Sequence, residues 1–351
     1  MSADLWLMLL VVAVNALMFH ALPRLSRPDI LFSVTVPGVF ASSGDAAAIV
    51  RRYRTVVWLS TLVLVGVLLA LPARDAHAPF VGMHIAAIFG AWAWANRRVR
   101  PHAASEQAIR VATLAPRDTH LPGGASFAAG PLIILAAAAL FLWLNWDVIP
   151  DRVPSHWSAD GTPTGFRTKS VSGVYTGLAV GAGVVLMMLA VAWTIVSRTR
   201  QIAISGAAAA GERTFKHVSA LQVLCSAYAT AGLSAAFSVA PTISGTDQLP
   251  LSTLVMLGAA VALSSGFALV MIWRGQGGQR AIAPDARDGM YGDATPDAAW
   301  KGGVFYYNPN DPALLVERRM GIGWTLNMGN RWSWLILGAM VLAIVISNVL
   351  R

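Results

Sequence analysis

Eight long apolar runs in this chain hold no Asp, Glu, Lys or Arg in their interiors. They cover residues 4–22, 55–72, 79–96, 126–146, 173–196, 218–240, 250–273 and 332–350. Each is about 20 residues long, the length at which an α-helix crosses the hydrocarbon core of a bilayer. Backbone in that core must satisfy its own hydrogen bonds, so such runs fold as helices. The fold class expected is an all-α integral membrane protein with eight transmembrane helices. Only 12% of the residues are charged, about half the share in a soluble domain, and they lie in blocks between the runs.

Those blocks decide orientation. Loops 23–54, 97–125, 197–217 and 274–331 hold 21 of the 26 Lys and Arg residues, and the alternate loops hold five. Basic loops stay in the cytoplasm, so both termini are expected outside, in a bacterial inner (cell) membrane. The +9 formal charge is then a cytoplasmic lipid-facing surface, and nucleic acid is not an expected partner. The first charge, Asp4, precedes the apolar run and Arg24 follows it. That order reads as an uncleaved first span and not as a signal peptide. The single cysteine, Cys225, excludes an intrachain disulfide.

Within the runs two patterns stand out. Gly173, Gly177 and Gly181 form consecutive small-xxx-small units, which let a neighbouring helix approach, either inside the bundle or in a homo-oligomer. Gln222, Ser226, Thr230, Ser234 and Ser238 form a polar stripe at four-residue spacing. It would serve interhelical hydrogen bonding or line a pathway. No intramembrane charge suggests an ion-coupled pump.

The expected domain plan has five parts. Residues 1–125 form an N-terminal membrane region of three spans. Residues 126–273 form a four-span core with an outer loop at 147–170. Residues 274–299 are a cytoplasmic linker, 300–331 a small cytoplasmic module with short extended elements, and 332–351 the final span. Segment 29–41 reads as extended chain at the membrane surface. Ser43 or Asp45 then caps a helix that carries Arg51, Arg52 and Arg54 into the second span. In the module, VFYY, LLVERR and GWTLN read as short extended elements around an NPNDP turn. Arg318 and Arg319 are expected to face lipid phosphates or solvent.

The outer loop, DVIPDRVPSHWSADGTPTGFRTKS, is too specified to be a plain connection. It resembles a family known as domain of unknown function 1648. The family's pattern of Leu-Pro, Val-Pro-x-His, Gly-x-Pro and a following lysine falls on Ile149, Pro150, Val153, Pro154, His156, Gly161, Pro163 and Lys169. Thr164 stands where the family often has aspartate. The family includes the SdpI-like immunity proteins that protect bacilli from a sporulation-delaying toxin. A second uncharacterised family is resembled by the module, through Tyr307, Asn308, Pro309, Asp311, Pro312, Gly321, Gly323, Trp324, Thr325 and Asn327.

His156 is the favoured functional residue. Its ring could brace the loop, titrate near neutrality or meet an outside ligand; with His77 and His84 it could also hold a metal, but the spacing matches no zinc signature. No nucleophile–base pattern, cofactor motif or metal motif is present in the sequence, so an enzyme is not expected and no cofactor is implied. The resemblance implies immunity or envelope-stress sensing. An extracellular peptide would be the ligand, and a cytoplasmic regulator would sit on the module. The alternative is transport or export of a neutral or amphipathic solute.

Overall fold

A computed structural model describes residues 3–71, 78–104, 120–157, 162–199, 206–244, 251–281 and 292–349. Its helices are α1 Ala3–Leu25, α2 Gly38–Ala41, α3 Gly44–Ala70, α4 Ala78–Val99, α5 Gly124–Leu144, α6 Val171–Arg198, α7 Gly206–Ser244, α8 Leu251–Arg274 and α9 Arg331–Val349. Each of the eight apolar runs overlaps one of them. Among the described residues, six helices are long and apolar enough to cross a membrane, namely α1, α3, α5, α6, α7 and α8. The expected third and eighth spans are also helical. They are α4, with His84, Asn96, Arg97 and Arg98, and α9, and they stand outside that set. The expectations placed on His77 and Gly161 fall outside the described residues.

Among the described residues eight β-strands make four two-stranded antiparallel hairpins. They pair β1 Ile30–Leu31 with β2 Val34–Thr35, β3 Arg152–Trp157 with β4 Pro163–Thr168, β5 Trp300–Lys301 with β6 Phe305–Tyr306, and β7 Leu315–Glu317 with β8 Trp324–Leu326. The chain divides into two compact units. The first joins Met1–Leu114, Arg200–Glu212 and Ile272–Leu335; the second joins Ala115–Thr199, Arg213–Met271 and Ile336–Arg351.

In the first unit α3 begins where expected. Ser43 Oγ accepts the Ala46 N–H at 3.2 Å, and the helix runs unbroken to Ala70. Segment 29–41 departs from expectation. It is a hairpin of two-residue strands followed by the single turn α2; residues 30–34 and Val36 are buried, whereas Gly38 and Val39 are exposed. Phe32 is fully buried between Tyr53 and Trp92, its ring 5.2 and 5.0 Å from theirs in edge-to-face contacts. Phe32 (φ 48°) and Ser33 (φ 68°) occupy left-handed backbone, as the tight turn of a hairpin demands. Neither is the Gly or Asn that announces such a turn, so the sequence gives no warning of it.

In the second unit α5, α6 and α7 bury Leu135, Leu142, Val174, Leu178, Ala227 and Ala231 together. The glycine and serine patterns of the sequence meet here. A Cβ on Gly177 would lie 3.2 Å from Ser238 Oγ, and one on Gly181 would lie 2.8 Å from Ser234 Cβ. Ser234 and Ser238 of the α7 stripe thus pack on the α6 glycines within the bundle. Further along it, Thr230 Oγ1 contacts Met188 Sδ at 3.8 Å and Ser226 bonds back to Gln222 O at 3.0 Å. Replacing Gly181 by Leu is expected to cost about 1–3 kcal/mol by overpacking. The check is thermal unfolding in detergent, where Ser234→Gly should restore part of the loss.

One boundary also moves. The sixth span was expected over 218–240, free of charge. Helix α7 starts at Gly206 and contains Glu212, Arg213 and Lys216, with Glu212 and Lys216 buried. At 1.5 Å per residue this helix is roughly 58 Å long, about twice the hydrocarbon thickness. Its charged turns therefore have length to spare beyond the apolar part.

Candidate functional site

The outer-loop motif folds as the hairpin β3–β4. Val153 pairs with Arg167, Pro154 with Phe166 and Trp157 with Pro163, and the register shifts on both sides of His156. Such irregularities re-aim side chains. Ile149 and Val153 are buried in the helical core of the second unit, so the base of the hairpin is anchored. Lys169 closes that base. Its N–H bonds Asp151 O at 2.8 Å, and its ammonium lies 5.7 Å from the Trp146 ring, which stacks on Tyr175. Trp157 packs on Phe237, with ring centroids 5.2 Å apart.

The motif residues thus serve two ends. Pro150, Val153, Pro154, Pro163 and Lys169 shape and fasten the ribbon. His156 is exposed, and its Nδ1 lies 3.3 Å from Ser155 Oγ. Arg152, also exposed, lies over the Phe166 ring at 4.7 Å, and Phe166 is itself 38% exposed. Arg152 and Phe166 therefore share one face of the anchored hairpin, and His156, paired with Gly165, stands on the other. Among the described residues no three metal-ligating side chains gather. His84, expected near His156, is buried in α4 and contacts Ser60 Oγ at 3.0 Å.

In the first unit the extended elements expected around NPNDP are β6, β7 and β8; β5, which was not expected, pairs with β6. A parallel bridge from Tyr306 to Asn327 joins the two hairpins. Asn327 is the hub. Its Nδ2 donates to Asn308 O, Asp311 O and Ala313 O at 3.0–3.2 Å, and its Oδ1 accepts from the N–H groups of Asn308 and Gly329 at 3.0 Å. Asp311 accepts the Tyr306 hydroxyl at 2.8 Å and the Ala313 N–H at 2.9 Å. Buried polar side chains that each satisfy several backbone groups fix one loop conformation. Gly321 (φ 89°) and Gly323 (φ 113°) use backbone that favours glycine. Gln276 pairs with the Gly323 peptide, donating to its O at 3.0 Å and accepting its N–H at 2.7 Å. Of the named residues, Tyr307, Pro309 and Pro312 are exposed, and Trp324 and Thr325 are half-buried.

Arg319 corrects the expectation of a lipid-facing or solvated pair. Arg318 is exposed, but Arg319 is 0% exposed. Its Nε and Nη2 fork onto Asp293 at 2.9 and 2.8 Å; Nη2 also reaches Thr295 O at 2.6 Å, and Nη1 reaches Ser33 O at 2.9 Å and Asp297. Burial by itself would raise the Asp293 carboxyl, but the Arg319 guanidinium outweighs it and holds Asp293 below the ordinary carboxylate range. Beside it Arg27 pairs with Glu317 at 2.9 Å, both buried. The stretch read as linker supplies Gln276, Asp293 and Thr295, all buried in this network.

Two family models match this chain. Residues 132–176 match Domain of unknown function (DUF1648), covering part of α5, the whole β3–β4 hairpin and the start of α6. Residues 309–334 match Family of unknown function (DUF5808), from the NPNDP turn into α9. The chain is a multi-pass membrane protein that carries a DUF1648 segment. Comparison with curated proteins and with solved structures gives no match.

Proposed function

We propose that this protein is an SdpI-like sensor or immunity protein of the bacterial inner membrane that meets membrane-active peptides at the β3–β4 hairpin. The observation that carries this reading is the exposed Arg152–Phe166 pair, on a ribbon that also exposes His156 and whose base is fixed in the helical core. Ordered aromatic and cationic groups on a rigid base bind with little entropic cost. In this reading there are eight spans with both termini outside, as the distribution of basic residues favours. The hairpin then faces outward, and the module faces the cytoplasm, where its exposed Tyr307 and Pro309 would meet a regulator. The role is one of binding and not of catalysis. The transport alternative has less support, because Ser234 and Ser238 of the α7 stripe that suggested it pack on Gly181 and Gly177.

The test is survival of cells challenged with membrane-active peptides. Wild type is expected to protect, and Phe166→Ala and His156→Ala to lower survival about tenfold, the effect of roughly 1.4 kcal/mol in peptide binding. If wild-type protein gives no protection, the proposal is wrong.

A further inference from the structure

The first unit contains a cleft of about 520 Å³ that none of the sequence motifs predicts. Its wall is built from the β1–β2 turn (Ser33), the end of α4 (Asn96, Arg100) and the β5–β6 turn (Lys301, Gly302, Gly303). That volume lies within the range of small-molecule sites, about 300–1,000 Å³.

Its chemistry is cationic. Arg100 Nε donates to Asn96 Oδ1 at 3.0 Å, and Asn96 Nδ2 donates to Phe32 O at 2.7 Å. The guanidinium is thereby steadied through a buried amide, and its two terminal nitrogens have no partner among the described residues. Lys301 spends one N–H on Ala298 O at 3.1 Å. No carboxylate is ion-paired with Arg100 or Lys301 among the described residues. The acid lining the cleft, Asp297, is engaged: it accepts from Thr35 N at 3.1 Å, from Thr35 Oγ1 at 2.8 Å and from Arg319. Asp293, behind it, is held by the same arginine. Arg100 and Lys301 carry two positive charges, the Arg319–Asp293–Asp297 cluster carries one negative charge, and the site keeps one net positive charge.

The backbone adds to this. Gly302 (φ 61°) and Gly303 (φ 74°) are consecutive left-handed residues at the cleft, and their N–H groups find no acceptor among the described residues. Successive free amides in a turn form an anion-binding concavity. A steadied arginine fork matches phosphate oxygens, and lysine supplies a point charge beside it. Val34, Ala103 and Trp300 give the same cleft an apolar side.

We infer that this cleft binds a phosphate group carried on an amphipathic or polyol body. The source is an anionic lipid headgroup or a soluble phosphate ester; the position at the basic end of an apolar helix, after Arg97 and Arg98, suits the first. The inference does not depend on the hairpin reading, and its test is separate from the survival assay.

The full chain is purified into zwitterionic nanodiscs. Dioctanoyl phosphatidylglycerol, dioctanoyl phosphatidylcholine and glycerol 3-phosphate are titrated separately, with binding read by thermophoresis. Saturable binding of the phosphatidylglycerol probe but not of the phosphatidylcholine probe supports a lipid source. Binding of glycerol 3-phosphate with similar affinity supports a soluble ester. In either case Arg100→Gln with Lys301→Gln should weaken Kd at least tenfold without shifting the Tm of ligand-free protein. If Arg100→Gln disturbs folding, Lys301→Gln alone should still weaken binding at least threefold. No saturable binding of either phosphate probe, equal binding of phosphatidylcholine, or binding indifferent to these substitutions overturns the inference.

Discussion

Arg319→Met is expected to destabilise the first unit by about 3–5 kcal/mol, the cost of stripping a buried charge of its partner. The substitution keeps an apolar stem of similar length and removes every N–H that reaches Asp293, Thr295, Ser33 O and Asp297. Asp293 then remains buried without its cation. Adding Asp293→Asn should recover a good part of the loss, because the remaining group is neutral. Arg319→Lys should rescue poorly, since one ammonium cannot span acceptors arranged around a planar fork. Arg318→Ala, one residue away and exposed, should change stability by less than about 0.5 kcal/mol. Chemical unfolding in detergent, followed by tryptophan fluorescence, checks all four. Equal effects from Arg318 and Arg319 would show the network to be unimportant.

Phe32→Ala is expected to cost about 3–5 kcal/mol, the usual range for deleting a buried aromatic ring. The ring is enclosed by Tyr53 and Trp92, and its own carbonyl is held by Asn96. Its left-handed backbone costs about 1–2 kcal/mol that the ring's burial offsets. Alanine keeps the strain and loses the burial. Phe32→Asn, which tolerates left-handed backbone better, should be less damaging than burial alone predicts. The readouts are Tm and the near-ultraviolet dichroism of the Trp92 cluster. A loss below about 1 kcal/mol would contradict the packing described.

The two sites differ in how far the sequence foretells them. Helices follow from apolar length, and the Ser43 cap follows from local chemistry, because both are decided within a few residues. The hairpin at 152–168 is announced by its prolines, though its two-stranded form is not. Arg319 was unreadable for a physical reason. Its partners lie 22 to 286 residues away, and counting charges treats a buried cation and a lipid-facing one alike. The same holds for Asp293 and Gln276, where turn-forming composition suggested a linker. For Asn308, Asp311 and Asn327 the motif was visible but its role was not: the side chains point into their own loop and hold it. The cleft had no signature, since Ser33, Arg100 and Lys301 come from three separate parts of the chain.

The link from Ser33 O to Arg319 has a consequence for synthesis. Residues 26–35 reach their partners 262 to 293 positions later. At typical elongation rates of about 5–20 residues per second, that is a wait of roughly 15–60 s. The second unit, apart from the end of α9, is made entirely within the interval. The first helices to emerge are therefore the last to be completed. During the delay Phe32 can already pack on Tyr53 and Trp92, but the buried-to-be Arg27 and the Ser33 carbonyl have no counterparts.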